Sequence, residues 1–340
     1  MRYLVTGGLG VIGSSFAEAQ LSAGHRVTLV DDGTDARHLV NRAAQAQLVQ
    51  ARLGRTDEQA WFGDAAFDRV FHAAGSTGIP YSSEEPLDDW SRNVDGTVAL
   101  LEALRHKPRP AVVLSSVKPY GLEGLRFEAT STRCELVGSG VDESFPLVPD
   151  EPYAASKAAQ SLVCQAYAKS FGVPVVVFRC SNLYGAGAPH GPRHGWLTWF
   201  CIRAALGWDL EIQGSGRQTR DVLFSSDLAA AALAAFEALE AGRLRGEILN
   251  VGGGRDNTIS LLEAVETLRG FGAQFGIQKG PGREHEDQLF CVDASRATQL
   301  LDWSPRVGVV EGMRRIYDWA CEHQQRLSEV FASYRELPRR

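Results

Sequence analysis

Tyr153 and Lys157 stand four residues apart in the run Tyr153-Ala154-Ala155-Ser156-Lys157, at the start of a predicted helix. That spacing puts both side chains on one helical face. An ammonium beside a phenol favours the phenolate and is expected to lower the tyrosine pKa toward working pH. A phenol tuned in this way can take the proton of an alcohol while hydride leaves the same carbon. Tyr-x-x-x-Lys is common by chance, so the pair gains meaning only from its surroundings. The apolar run Ala111-Val112-Val113-Leu114-Ser115-Ser116 reads as a strand ending in two serines. Ser116 is then placed to hydrogen-bond the same substrate oxygen.

A departing hydride needs an acceptor, and the N-terminus offers it a seat. Gly7-Gly8-Leu9-Gly10-Val11-Ile12-Gly13 follows a predicted strand at residues 2–6 and runs into a predicted helix. Gly7, Gly10 and Gly13 let the backbone turn tightly and approach a pyrophosphate, which the helix N-terminus favours. Asp31 closes the next apolar run, where a carboxylate grips both ribose hydroxyls of NAD. The pair Asp31-Asp32 repels the extra phosphate of NADP, although Arg37 could meet it. Ala73-Ala74-Gly75, a small-residue turn after a fourth strand, lets backbone come close to a cofactor.

These residues need a scaffold, and the first half of the chain supplies its pattern. Short apolar strands near 26–30, 48–53, 68–72, 111–116 and 173–179 alternate with helices near 43–50, 94–105 and 152–171. That alternation predicts an α/β fold with a doubly wound parallel sheet. Residues 121–152, polar and rich in Gly and Pro, read as an irregular excursion over the active site. Further on come helices at 196–206, 226–239 and 261–271, the last capped by Ser260. Strands at 221–224 and 247–251 and a mostly helical stretch over 294–319 complete the reading. The expected division is a nucleotide-binding domain over 1–180 plus 221–252, with a smaller α/β substrate lobe over 181–220 plus 253–340.

The 340 residues are 44% apolar and 22% charged, as in soluble globular chains. A formal net charge of −6 argues against a general nucleic-acid binder. No apolar run is long enough to span a bilayer, so no membrane association is expected. Met1 leads straight into the first strand, and a cytoplasmic location is expected. The six cysteines are scattered without a Cys-x-x-Cys, which suggests reduced thiols and no metal site.

Taken together, the glycine turn, His72-Ala73-Ala74-Gly75, Asn93-Val94-Asp95-Gly96-Thr97, Ser115-Ser116, Tyr153 with Lys157, and Arg179 with Asn182-Leu183-Tyr184-Gly185 resemble the extended short-chain dehydrogenase/reductase family. That family contains NAD-dependent nucleotide-sugar epimerases and dehydratases. The resemblance implies a Rossmann fold, with NAD held by Gly7, Gly10, Val11, Ile12, Gly13, Asp31, Asp32, Ala73, Ala74, Gly75 and Asn93. It implies Tyr153 as acid and base, Lys157 on the nicotinamide ribose, and Ser116 as the residue orienting substrate. Within the family, Gly195–Cys201, Gly214–Leu223, Asn250–Gly253, Asp302–Pro305 and the loop Glu128–Ser144 are similar to segments of CDP-tyvelose (CDP-paratose) 2-epimerases. The substrate so implied is a nucleotide-diphosphate sugar, a CDP-hexose being favoured. It would be oxidised transiently at C2 and reduced again from the other face.

The same likeness places Arg220 and Arg283 on the substrate diphosphate, with Asn182 assisting. His194 is a candidate for sugar hydroxyls, although a loop histidine is as often simply exposed. Trp196 is carried on the substrate side, although Trp196 and Trp199 fit the lobe core better than a base-stacking role. Two departures from the family stand out. Val117 follows Ser116 where a third hydroxyl residue is usual, and Arg52 or Gly54 replaces the acidic residue that meets adenine. A homodimer through helices near 95–105 and 155–170 is a further implication of the resemblance. Residues 116–119 hold no Asp-Glu pair of the kind a 4,6-dehydratase would need.

Overall fold

Seven short strands pair side by side in one parallel sheet: β1 (Arg2–Thr6), β2 (Arg26–Asp31), β3 (Gln47–Gln50), β4 (Arg69–His72), β5 (Ala111–Ser116), β6 (Val175–Cys180) and β7 (Ile248–Val251). Their order across the sheet is β7-β6-β5-β4-β1-β2-β3. The computed structural model describes residues 1–33, 45–55, 57, 61–63, 67–187, 191, 195–282 and 287–335. The chain winds outward from β1 in one direction and then returns to β4 on its other side. The carboxyl ends of β1 and β4 therefore flank a crevice, the place where doubly wound sheets take ligands.

Alternation of side chains along the strands divides the core into two layers. Tyr3, Val5, Val112 and Leu114 pack against Phe16 and Ala17 of α1 (Val11–Ser22) and Phe236 of a later helix, Ser225–Glu240. Leu4, Ala111, Val113, Val175 and Val177 point the other way. They meet Leu100, Leu101 and Leu104 of α2 (Gly96–His106) and Cys164 and Ala168 of α3 (Pro152–Phe171). Phe16 stacks on Phe71 with centroids 4.1 Å apart. Truncating such a ring to alanine costs about 3–5 kcal/mol. Pro152 opens α3 where its missing N–H is not needed, and Gly172 closes it at φ 70°.

The smaller lobe has its own core. Thr219–Phe224 runs antiparallel to Thr258–Ser260 and parallel to Leu289–Phe290 and Asn182–Tyr184. Leu210–Gln213 pairs with Ile277–Gly280 beside it. Helices Trp196–Ala205, Leu261–Gly270 and Val309–Glu322 cover these strands through Leu197, Phe200, Val265, Leu268, Met313 and Ile316. Ser260 caps its helix as expected. Its hydroxyl takes the Glu263 N–H at 3.1 Å, and the Glu263 carboxylate takes the Ser260 N–H at 3.0 Å.

Several expectations needed correction. The helix expected over 43–50 is, within the described residues, the strand β3, because Gln47–Gln50 pairs in register with β2. The strand expected at 221–224 begins at Thr219 and pairs in the small sheet, with Thr258–Ser260, Leu289–Phe290 and Asn182–Tyr184. The excursion over 121–152 contains an antiparallel ribbon, Arg126–Ala129 with Cys134–Val137. The last helical stretch breaks at Asp302, which adopts φ 51° before Pro305.

Candidate active site

A cleft of about 880 Å³ lies between the carboxyl ends of the large sheet and the smaller lobe. Its floor is backbone. Gly7 has φ 66°, and a Cβ there would sit 2.6 Å from the Ala74 nitrogen. A Cβ on Gly13 would sit 2.2 Å from the Gly7 carbonyl oxygen. Only glycine leaves this space open. No side chain caps α1, whose first residues Val11, Ile12 and Gly13 line the cleft. Asp31 is fixed at the rim, its carboxylate taking the Leu9 N–H at 3.0 Å and the Gly33 N–H at 2.9 Å. A glycine cradle that any Cβ would fill, an N-terminus facing it and a carboxylate at the next strand end fit a dinucleotide.

Beside Asp31 the wall is a cluster of charges. Arg92 pairs with both Asp32 and Asp88, and Arg52 reaches Asp88 at 2.6 Å. Asp88 is partly buried, yet hydrogen bonds from Tyr81, Arg92 and Arg52 hold its carboxyl well below the usual range. Arg52 lines the cleft, so a paired guanidinium stands where the family usually places an acid. Because Arg92 meets the charge of Asp32, repulsion of a 2′-phosphate rests mainly on Asp31. Arg37 lies outside the described residues, as do His194 and Arg283.

Tyr153 projects from the first turn of α3 into the cleft, which Ser116 at the end of β5 also lines. Ser115 donates to the Lys157 carbonyl at 2.9 Å, whereas the Ser116 hydroxyl takes the Lys118 N–H at 3.1 Å. Lys157 is 6% exposed. Its Nζ donates to Gln160 Oε1 at 3.1 Å and reaches the Leu114 carbonyl at 3.4 Å. The expected lowering of the phenol is not found. Burial pushes Tyr153 up to about 12, with Ser116 offsetting part of the rise. Burial likewise pushes Lys157 down to about 8, against the pull of Asp89. The reason is that both groups lose hydration together, and desolvation disfavours the charged form of each.

Behind Lys157 runs a buried polar chain that sequence reasoning missed. Gln160 Nε2 donates to Thr97 Oγ at 2.9 Å, and Thr97 donates to the Asn93 carbonyl at 2.7 Å. The Thr97 hydroxyl has a single proton. His72 Nε2, 3.0 Å away, must therefore donate to it, leaving Nδ1 to accept from Thr6 at 2.6 Å. Burial holds His72 neutral, at about 3. The chain thus fixes the amide oxygen of Gln160 toward the ammonium. Asn93 is fully buried and does not line the cleft. Its Oδ1 takes the Ser76 N–H at 3.0 Å, and its amide nitrogen reaches Asp89, Ser76 and Ser156. It braces the wall instead of presenting its amide to the cleft. The single-residue spacing of these groups over five segments gives no motif to read.

The opposite wall comes from the smaller lobe. Asn182, Trp196 and Arg220 line it, together with Arg203, Glu211, Gln213 and Gln218, which the sequence did not single out. The alternation of Leu210–Gln213, with Leu210 and Ile212 buried, turns Glu211 and Gln213 to the cleft. Asn182 Nδ2 donates to the Asp221 carbonyl at 3.3 Å. Arg220 donates to the Thr219 carbonyl at 3.0 Å. Trp196 packs edge-on against Phe200 at 5.5 Å, and its buried indole N–H has no partner among the described residues.

This fold and cleft are those of an NAD-binding enzyme of the doubly wound class, and comparison with known proteins gives the same answer. Residues 3–252 match the NAD dependent epimerase/dehydratase family. The chain is 32% identical to the CDP-paratose 2-epimerase of Salmonella typhi over 336 residues, covering 94% of this chain and 99% of that one. It is 31% identical to a dTDP-glucose 4,6-dehydratase of Streptomyces niveus over 331 residues, covering 94% and 92%. The crystal structure of the Bacillus cereus UDP-glucuronic acid 4-epimerase, in complex with UDP-glucuronic acid and NAD, superposes with a TM-score of 0.77. Identity to it is 25%, over 95% of this chain and 99% of that chain. The chain therefore belongs to the NAD dependent epimerase/dehydratase family. It is an NAD-dependent enzyme of nucleotide-sugar modification, and among the described residues no helix is long and apolar enough to cross a membrane.

Proposed function

We propose that this enzyme is a nucleotide-sugar epimerase acting on a CDP-hexose at C2. One observation carries the reading: Tyr153, one helical turn from Lys157, lines the same cleft as Ser116 and the glycine cradle. NAD, when bound, supplies a hydride acceptor that can return what it takes. Tyr153 removes the proton of the sugar hydroxyl and gives it back after the sugar has turned its other face. Ser116 orients that oxygen. Lys157 holds the nicotinamide ribose and supplies positive charge beside the phenol. On the far side Arg220 and Asn182 hold the diphosphate, with Arg283 and His194 as further candidates. The likeness to a CDP-paratose 2-epimerase over nearly the whole of both chains supports the choice of base and carbon.

A 4,6-dehydratase is the nearest rival, given 31% identity to one. Elimination of water needs an acid and a base next to the tyrosine. Here Val117 is buried, and Lys118 is held by Asp287 at 3.1 Å. That pairing favours epimerisation, whether at C2 or C4. A catalytically silent NAD sensor is disfavoured by the assembled Tyr153, Ser116 and Lys157. Exposed Leu162 and Phe171 on α3 support a homodimer through α2 and α3. Six unbridged cysteines suit a reducing cytoplasm.

Incubation with CDP-, UDP- and GDP-hexoses tests the reading. The expected product is inverted at C2 of a CDP-sugar, with no solvent deuterium at that carbon. Inversion at C4 would move the assignment to a 4-epimerase, and loss of water to a dehydratase. Tyr153→Phe is expected to cut turnover by about 10²–10⁴ while NAD stays bound. Turnover equal to wild type would remove Tyr153 as acid and base.

A further inference from the structure

Asp89 is a buried carboxylate that the proposed chemistry does not use. It lies on the helical turn Pro86–Trp90 and is 0% exposed. Every hydrogen bond found for it comes from a neutral donor. The Ser156 hydroxyl reaches Oδ2 at 2.6 Å, the Asn93 amide reaches Oδ1 at 3.1 Å, and Ser76 donates to Oδ1 through a short bond. No salt bridge to it is present among the described residues. Removing a carboxylate from water is unfavourable; three neutral donors offset part of that cost, and a nearby positive charge offsets more.

The donors show where that charge is. Ser156 precedes Lys157 in the chain. Asn93 closes on Gly75, where a Cβ would lie 2.5 Å from the Asn93 amide oxygen and 3.2 Å from Lys157 Nζ. Asp89, Asn93, Gly75 and the ammonium thus form one cluster behind the cleft wall. The ionisable groups on the elements around Asp89 are Lys157, Tyr153 and Glu151 on or next to α3, then Glu84, Glu85 and Asp95, then Tyr81, which bonds Asp88, and Arg92, which is taken up by Asp88 and Asp32. Lys157 is also faced by His72, Cys164 and Cys180. Of these cations Lys157 is the one with no carboxylate bonded to it among the described residues, and its Nζ lies at Gly75, on which Asn93 closes.

We propose that Asp89 is a positioning residue that acts as the buried counter-charge of the active site. It keeps Lys157 protonated within a buried wall and favours the oxidised, positively charged form of the nicotinamide ring over the reduced, neutral one. A fixed negative charge stabilises a cation in a poorly hydrated site far more than it would in water. For an enzyme that must hold its cofactor oxidised between turnovers, that bias keeps it ready to accept hydride. The pH part of the inference rests on the proposed Tyr153–Lys157 roles; the preference between cofactor forms does not.

Asp89→Asn tests it, because the variant keeps the shape and removes the charge. Ser156 can turn its proton to the Tyr153 carbonyl, 3.0 Å away, so the hydrogen bonds can rearrange. The ratio of NAD⁺ to NADH affinity, measured by displacement of fluorescent NADH, is expected to fall about tenfold, equivalent to about 30 mV in the potential of the bound couple. The pH limb belonging to Lys157 is expected to move down by about one unit. Asp89→Glu, which retains the charge, should restore most of the ratio. If both affinities fall equally and the limb stays put, Asp89 is a structural tie and the inference is wrong. Should Asp89→Asn not fold, the wild type decides: NAD⁺ is expected to bind about tenfold more tightly than NADH, and equal or tighter binding of NADH would overturn the inference. Turnover by Tyr153→Phe would refute the catalytic reading and leave the affinity ratio as an independent result.

Discussion

The two walls of the cleft are made of different material. The cofactor wall is mainly backbone: glycines at the end of β1, the start of α1, and the small-residue turn after β4. The substrate wall is side chains, drawn from Asn182, Trp196, Glu211, Gln213, Gln218 and Arg220 on separate segments. Backbone close to a ligand tolerates no added atom, whereas a wall of side chains can adjust. The first wall should therefore fail all at once under substitution, and the second by degrees.

Gly13→Val is the sharpest way to break that contrast. Its Cβ would lie 2.2 Å from the Gly7 carbonyl oxygen, on backbone that cannot swing aside. Loss of measurable NAD binding is expected by calorimetry, with turnover lost in parallel. If the variant bound NAD within tenfold of wild type, the cradle would not be as close-fitting as drawn.

Arg220→Ala is the matching test on the other wall. An arginine on a diphosphate makes charge-assisted hydrogen bonds that a neighbour can replace only in part. The KM for the nucleotide sugar is expected to rise by about 10- to 100-fold, with NAD affinity unchanged. A fall in NAD affinity of the same size would mean that the two walls are not independent.

How much of this could be read from the sequence follows the same division. Glycine spacing, the carboxylate closing β2 and the Tyr-Lys interval are local patterns, and the structure brings them into one cleft. The sheet was legible because its inner strands are short, continuously apolar runs buried on both faces. What escaped was built from residues distant in the chain. Asp89 meets Ser76, Asn93 and Ser156 through packing of three segments, and His72 meets Thr6 and Thr97 across the sheet. No spacing rule encodes such meetings. The pKa of Tyr153 was misjudged for a related reason: the i to i+4 interval shows the ammonium but not the depth of burial that opposes it.

A smaller effect should appear in stability. Asp221 is fully buried, taking the Gly254 N–H at 3.3 Å, and burial raises its carboxyl to about 7. The raised value means that the folded state binds this proton more tightly than the unfolded state. The resulting stability is complete below the ordinary carboxylate pKa and is lost as pH rises through about 7. Asp221→Asn should raise stability by about 3 kcal/mol more at pH 7.5 than at pH 5, read from urea midpoints. An unchanged pH slope would show that Asp221 stays ionised when folded.

Trp196 separates structure from recognition on the substrate wall. Its ring packs on Phe200, which is a core role, while its N–H is buried without a partner among the described residues. An unsatisfied buried donor costs about 1–3 kcal/mol, unless a ligand atom meets it in the working complex. Trp196→Phe keeps the apolar packing and deletes the donor. If the N–H serves only the fold, the variant is as stable as wild type or more so, and KM stays constant. The expected result is the other one: equal thermal stability with KM raised about three- to tenfold, because about 1 kcal/mol of hydrogen bonding is lost only when substrate is present. That combination cannot come from packing alone, since packing acts equally on the free and bound protein.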